Sequence, residues 1–307
     1  MNKLSASIAT EGLLQAPAPS RALTLAEETR KVMRIYHVSP KEQLGQHFLV
    51  DQEALQSITR VAALKAGDQV LEIGPGIGVL TRALAQTGAA VRAVELDAAM
   101  YRIASARTQH LPNVVVQEGN ILHCDLATII DPNQPFSVVA NIPYYITAPI
   151  LRLFLEGRHR PSSLLLMVQR EVGERLAALP GKMSILAVFT QIHADVKVMR
   201  QVPPSSFLPA PKVASAVVHI SVRPEPLVPV EEQEYLFRVV RAGFGSKRKM
   251  LHNALDHGLP NSGAVIDAAL SAAGIQRDRR AETVSIEEWR SLAGALREDS
   301  QHQPKAR

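Results

Sequence analysis

"QVLEIGPGIGVLTRALAQTG", residues 69–88, decides the fold. Its opening six residues form an apolar run that reads as a buried strand, and "VLTRALAQTG" reads as a helix closed by Gly88. Between them Gly74, Gly76 and Gly78 crowd a tight strand-to-helix turn. Working outward, the alternation repeats. "AVRAVELD" (90–97), "NVVVQEGN" (113–120), "FSVVAN" (136–141) and "SLLLMVQ" (163–169) read as strands. Helical patterns lie among them at 98–108 and 147–157, with a further one at 171–179. Strands rich in Val and Leu that alternate with helices predict a parallel sheet covered on both faces.

The ends of the chain differ. "ADVKVMRQV" (194–202) and "ASAVVHISV" (214–222) are joined by the proline-rich "PPSSFLPAPK", too short for a helical crossover, so this pair is expected to be antiparallel. The predicted fold is α/β, a Rossmann-like sheet of parallel strands with a terminal antiparallel hairpin. "RPEPLVPVEE" sets a boundary near Pro224, beyond which four short helical patterns predict a small all-helical domain. Upstream, residues 1 to about 26 read as a flexible tail, "LAEETRKVMRIY" (25–36) as a short helix, and Asp51 as the N-cap of a helix over 51–64. The expected division is an N-terminal extension over 1–37, a catalytic domain over 38–223 and a helical domain over 224–307.

The chain has 307 residues, 46% hydrophobic and 21% charged, with a net charge of +5 that permits a polyanionic partner without demonstrating one. No apolar run is long enough for a membrane span, no secretory leader is legible, and the lone Cys124 cannot form an internal disulfide. These features predict a cytoplasmic protein. No metal site is expected.

In an open parallel sheet, ligands bind beyond the carboxyl ends of the strands, near the point where the strand order reverses. Glycines there let backbone N–H groups approach a ligand, so Gly74 and Gly76 are cofactor-site candidates. About twenty residues on, Glu95 ends the second strand, where a carboxylate can accept hydrogen bonds from a ribose diol. Asn120, at the end of the third strand, offers an acceptor for an adenine amine. The spacing G-P-G-I-G departs from the dinucleotide fingerprint, and no P-loop motif occurs.

The fourth strand ends in "NIPYY", residues 141–145. If that strand neighbours the first, Asn141 faces the same crevice. Its amide oxygen and the backbone carbonyl of Ile142 are two acceptors, with Pro143 fixing the turn and Tyr144 offering a flat face for a base. The exocyclic amine of adenine is a poor nucleophile because its lone pair is delocalised. Two acceptors holding its two hydrogens favour a pyramidal nitrogen aimed at an electrophile, such as a sulfonium methyl held by the glycine loop. Alignment then does most of the catalysis.

These segments, together with "LGQHFLVD" (44–51), "LMVQREVGERL" (166–176), "PPSSFLPAPKVASAVV" (203–218) and "RAGFGSKRKMLHNAL" (241–255), resemble the ribosomal RNA adenine dimethyltransferase family from Lys41 to Leu296. The small-subunit branch fits best. The resemblance implies S-adenosylmethionine as cofactor and dimethylation of two adjacent adenosines near the 3′ end of small-subunit (16S) ribosomal RNA. It implies a monomer acting on a pre-assembled small subunit. It places cofactor contacts on His47, Leu49, Gly74, Glu95, Asn120 and Asn141, and an aromatic partner for the base at Phe207. His47 and Asn120 depart from the Asn and Asp usual in the family, and Tyr145 stands where many members have a further Asn. Charge and resemblance together assign RNA contact to Arg241, Lys247, Arg248 and Lys249, beside Phe244; Arg277, Arg279 and Arg280 form a second basic cluster. Two other readings stay open: a large-subunit adenine methyltransferase, which also uses N-I-P-Y, and a non-catalytic RNA-binding assembly factor.

Overall fold

A computed structural model of the chain describes residues 22–246 and 248–302; the side chains of Glu42, Tyr144 and residues 298–302 lie outside the description. Of the expected features, the tail over residues 1–21, Lys247 and the ring of Tyr144 therefore lie outside the described residues.

The strands are β1 (Phe48–Leu49), β2 (Gln69–Ile73), β3 (Ala90–Glu95), β4 (Val114–Glu118), β5 (Phe136–Asn141), β6 (Ser163–Gln169), β7 (Ala194–Val202), β8 (Phe207–Leu208) and β9 (Ser215–Val222). The helices are α1 (Leu25–Ile35), α2 (Gln52–Ala62), α3 (Val79–Ala85), α4 (Ala98–Thr108), α5 (Thr147–Leu155), α6 (Arg170–Leu176), α7 (Ile185–His193), α8 (Val230–Phe244), α9 (Leu251–Gly258), α10 (Gly263–Ala272) and α11 (Ile286–His302). The seven-stranded sheet runs β4-β3-β2-β5-β6-β9-β7. Strands β2 to β6 are parallel, and β9 is antiparallel to both β6 and β7. The expected antiparallel pair is present, with its second strand inserted between β6 and its first. Order reverses at β2, which lies between β3 and β5, so the end of β5 at Asn141 neighbours the end of β2 as expected.

Period-two alternation explains why the sheet has two cores. Leu71, Ile73, Val138, Ala140, Leu164 and Leu166 face one side; Val70, Val139, Leu165 and Met167 face the other, against α2 and α3. The first core does not stop at the sheet. It continues through Phe189 of α7 to Phe237 of α8, whose rings lie 5.8 Å apart, and on to the fully buried Trp289 of α11. The connecting segment is pinned as well, with Arg223 N–H donating to the His193 carbonyl and Leu227 N–H to that of Ile192, both at 2.9 Å.

Helix α7 is the element that the sequence reading passes over. The N-terminal reading holds from α1 onward. Thr24 and Glu27 form a reciprocal capping box, and Val32 packs with Phe48, Ile77, Met100 and Ile103. Glu28 pairs with both Arg82 and Arg107. Asp51 caps α2 as expected, its Oδ1 accepting from Glu53 and Ala54 N–H while its Oδ2 accepts from the Ser206 hydroxyl at 2.6 Å.

Candidate active site

A cavity of about 250 Å³ opens at the carboxyl ends of β2, β3 and β5. Its walls are the segment Leu44 to Leu49, the glycine loop, Glu95 and Leu96, Gly119 to Leu122, and the turn after β5. His47, Leu49, Gly74, Gly76, Glu95, Asn120, Asn141, Ile142 and Pro143 all line it, so the structure brings these sequence-derived candidates together.

The glycine loop has a physical reason at two positions. Gly74 and Gly76 adopt φ of +69° and +57°, which L-residues rarely do. A Cβ on Gly76 would also stand 3.1 Å from the Phe48 ring. With no side chain there, Gly76 N–H donates to Glu95 Oε2 at 2.9 Å, and Asp97 N–H donates to Oε1 at the same distance. Both oxygens of Glu95 are thus oriented by backbone while each keeps acceptor capacity. Burial, the largest influence, pushes the Glu95 carboxyl above its ordinary value despite these two donors. Asn120 Oδ1 accepts from Leu122 N–H at 3.1 Å, which fixes which end of that amide is oxygen.

Asn141 is held in the same way. Its Nδ2 donates to the His47 carbonyl at 3.0 Å, so the amide nitrogen faces that acceptor and Oδ1 is the remaining acceptor. Pro143 turns the chain at φ −56°, ψ 136°, and among the described residues no backbone N–H donates to the Ile142 carbonyl. Two acceptors therefore sit at adjacent residues on the rim of the cavity. The His47 ring is engaged elsewhere, its Nδ1 lying 2.8 Å from the Pro209 carbonyl. That oxygen can only accept, so Nδ1 carries the hydrogen.

Segment Lys41 to Leu49 is strapped over the cavity. Lys41 pairs with Asp97 at 2.6 Å, and Gln46 donates to the same carboxylate at 3.4 Å. Burial works against the Asp97 charge, but Lys41 and the N–H groups of Met100 and Ala99 outweigh it and hold the carboxyl below its usual range. β1 pairs with β8, joining the strap to the loop that carries Phe207.

Phe207 is not among the cavity's lining residues. Its ring is 4% exposed and packs in the second core with Leu49, Leu55 and Met167, anchoring the strap from behind. Sequence reasoning missed Glu72, which also lines the cavity and is 1% exposed. The signal was present: a carboxylate in the apolar run "VLEIG" is costly unless something compensates it.

Among the basic candidates, Arg241, Arg248 and Lys249 are exposed, and no acidic side chain pairs with any of them among the described residues. Phe244 belongs to the helical core, 5.8 Å from Trp289. In the second cluster, Arg279 is committed internally to Glu288 and Thr283, and Arg277 pairs with Asp267 at 3.2 Å. Only Arg280 of that group is exposed without such a partner among the described residues.

Among the described residues, no lysine or arginine lines the cavity, while two carboxyls do. Such a site suits a ligand carrying positive charge together with a ribose and a base. It disfavours a dinucleotide, whose pyrophosphate is anionic.

Several known proteins are similar to this chain. Residues 38–298 match the family profile of ribosomal RNA adenine dimethylase. Ribosomal RNA small subunit methyltransferase A of Dehalococcoides mccartyi (strain ATCC BAA-2100) is 39% identical over 280 residues, covering 91% of this chain and 95% of the relative. The protein of the same name from Geobacter metallireducens is 40% identical over 269 residues, covering 86% and 98%. Among solved structures, the 23S rRNA methyltransferase ErmE superposes with a TM-score of 0.67 at 28% identity, over 81% of this chain and 99% of its own. A dimethyladenosine transferase from Plasmodium falciparum shares the fold, with a TM-score of 0.70 at 24% identity over 83% and 98%.

Proposed function

The chain belongs to the ribosomal RNA adenine dimethylase family, and from that premise we propose that it methylates the exocyclic amines of two adjacent adenosines near the 3′ end of small-subunit ribosomal RNA. The observation that carries the chemistry is the acceptor pair, Asn141 Oδ1 and the Ile142 carbonyl, beside a cavity that carries carboxyls and no basic side chain. The residues present fit S-adenosylmethionine, which when bound supplies an electrophilic methyl on a positively charged sulfur. Glu95 would hold its ribose hydroxyls, Asn120 its adenine, and the loop of Gly74 and Gly76 its amino-acid end.

Asn141 and Ile142 accept the two amine hydrogens and so draw the nitrogen lone pair out of conjugation with the ring. Pro143 keeps both acceptors aimed outward, and Tyr144 offers the stacking face. No general base is required, since the amine gains acidity on alkylation and its proton passes to solvent. Phe207, packed behind the strap, would act by holding Leu49 and the cavity wall in place. A base must leave its stack to reach this rim, at a cost of a few kcal/mol, and Arg241, Arg248 and Lys249, with Lys247, would offset that through phosphate contacts. In this reading residues 38–223 carry the catalysis and residues 224–307 the RNA contacts. The chain works as a cytoplasmic monomer on a pre-assembled small subunit.

The test is transfer of labelled methyl from S-adenosylmethionine to undermethylated small subunits, with large subunits and DNA in parallel. Label recovered as dimethyladenosine from the small subunit alone is the expected result. Label in the large-subunit RNA would move the assignment to the large-subunit reading, and no label on any substrate would favour a binding factor.

A further inference from the structure

Tyr145 has no part in the mechanism so far. It is 60% exposed, and no aromatic ring among the described residues is more so. It also lines the cavity, four residues along the chain from Asn141. Among the described residues no ring or cation stacks on it and its hydroxyl has no hydrogen-bond partner. A large ring left in water at the mouth of a binding site is unused contact surface, and tyrosine suits such a place because its face is apolar and its tip polar.

The ring stands on a fixed base. Residues Tyr144–Ile146 form a single turn of 3-10 helix, closed by Ile146 N–H donating to the Pro143 carbonyl at 3.2 Å. The chain runs directly on into α5, which the buried Thr147, Ile150 and Leu151 anchor in the core. The backbone at Tyr145 is thus held while its side chain faces solvent. Successive residues of such a turn project about 120° apart, so positions 144 and 145 do not face the same base. Phe207, the other aromatic expected beside the target base, is buried behind the strap. Tyr145 is therefore a stacking surface at the rim for a nucleotide other than the one in the crevice.

The substrate supplies that nucleotide. Asn141 Oδ1 and the Ile142 carbonyl are two acceptors, enough for the two hydrogens of one amine at a time. Two adjacent adenosines must then enter in turn, and whichever one waits has lost a stacking neighbour to the crevice. We propose that Tyr145 stacks the waiting adenosine and so holds the pair at the rim while each base takes its turn at Asn141. This rests on the small-subunit reading, in which two neighbouring adenosines are the target. A stack needs only the flat face of a base, so one ring serves either adenosine, before or after methylation.

The test is methyl transfer to undermethylated small subunits by wild type, Tyr145→Phe, Tyr145→Leu and Tyr145→Ala, with the affinity for S-adenosylmethionine measured in parallel. Tyr145→Leu and Tyr145→Ala should raise the KM for subunits about tenfold, within the range for loss of one base stack, and leave cofactor affinity as in wild type. Tyr145→Phe keeps the ring and should keep the wild-type KM. A second substrate identifies the stacked base: subunits reconstituted with an abasic nucleotide in place of one of the two adenosines. On these, wild type and Tyr145→Ala should share one KM, because the partner of the ring is gone. An unchanged KM in Tyr145→Ala on the intact pair would overturn the proposal. So would a penalty that persists on the abasic substrate, a failure of Tyr145→Phe to match wild type, or a loss confined to cofactor affinity. Each of these leaves the small-subunit assignment standing. Absence of methyl transfer to small subunits by the wild-type chain would remove that assignment and this inference with it.

Discussion

Asn141 shows how much of the site is local chemistry and how much is placement. Its identity, its following proline and its position at a strand end were legible in "NIPYY". What holds its nitrogen was not, because the partner is a backbone carbonyl 94 residues away, and main-chain acceptors leave no trace in side-chain spacing. The basic clusters teach the same lesson: Arg279 looks like Arg248 in sequence, yet its guanidinium is spent on Glu288. Glu72 was visible as an oddity in an apolar run, but that it lines the cavity was not. At this scale Gly76→Ala tests the loop. The positive φ and the 3.1 Å approach to Phe48 should together cost about 1–2 kcal/mol in a denaturant titration, with weakened cofactor binding. An unchanged unfolding midpoint would contradict this account of the loop.

Among the elements, α1 and the strap determine how the cavity is closed. α1 is short, and isolated helices of this length are marginal, so its order depends on docking through Val32 and Glu28. Burial disfavours the Glu28 charge, but Arg107 and Arg82 outweigh it and hold the carboxyl below its ordinary value. A carboxylate lowered on folding contributes stability that is present above its unfolded value, near 4.3, and is lost as pH falls through its folded value. Amides of α1 should therefore lose protection, measured relative to their intrinsic exchange rate at each pH, as the pH falls to acid values, while those of β2 keep theirs. Glu28→Gln should produce the same selective loosening at neutral pH, worth about 1 kcal/mol or less because the pair is partly exposed. Equal exchange in wild type and variant would contradict it. Helix α7 escaped the sequence reading because "ILAVF" is apolar throughout, and a short unbroken apolar run does not distinguish a buried strand from a buried helix. Only its burial on both sides, by the sheet and by α8, explains the composition.

For the molecule as a whole, the core that runs from β2 through α7 to Trp289 means that the sheet and the C-terminal helices stabilise each other. The sequence indicated a boundary near Pro224 from its prolines, which report a turn and say nothing about what the next helices pack against. Trp289→Ala, at a fully buried position, should cost about 3–5 kcal/mol and lower the stability of the cofactor site with it, in a single unfolding transition seen by both helix content and cofactor binding. Two separate transitions would show the parts to be independent. A rigid connection also fixes the exposed Arg248 relative to the Asn141 rim. Arg248→Gln should weaken RNA binding across sequences and reduce the slope of affinity against salt by about one. An unchanged slope would place the phosphate contacts elsewhere.

The central claim is that the acceptor at Asn141 activates the adenine amine. Its most direct test is the rate of methyl transfer to undermethylated small subunits by Asn141→Ala, measured at saturating S-adenosylmethionine with its affinity determined in parallel. The account predicts a rate lower by about a hundredfold or more, comparable to the loss of one preorganised transition-state hydrogen bond, in a protein that still binds the cofactor. A variant that transfers methyl within a few-fold of the wild-type rate would contradict it.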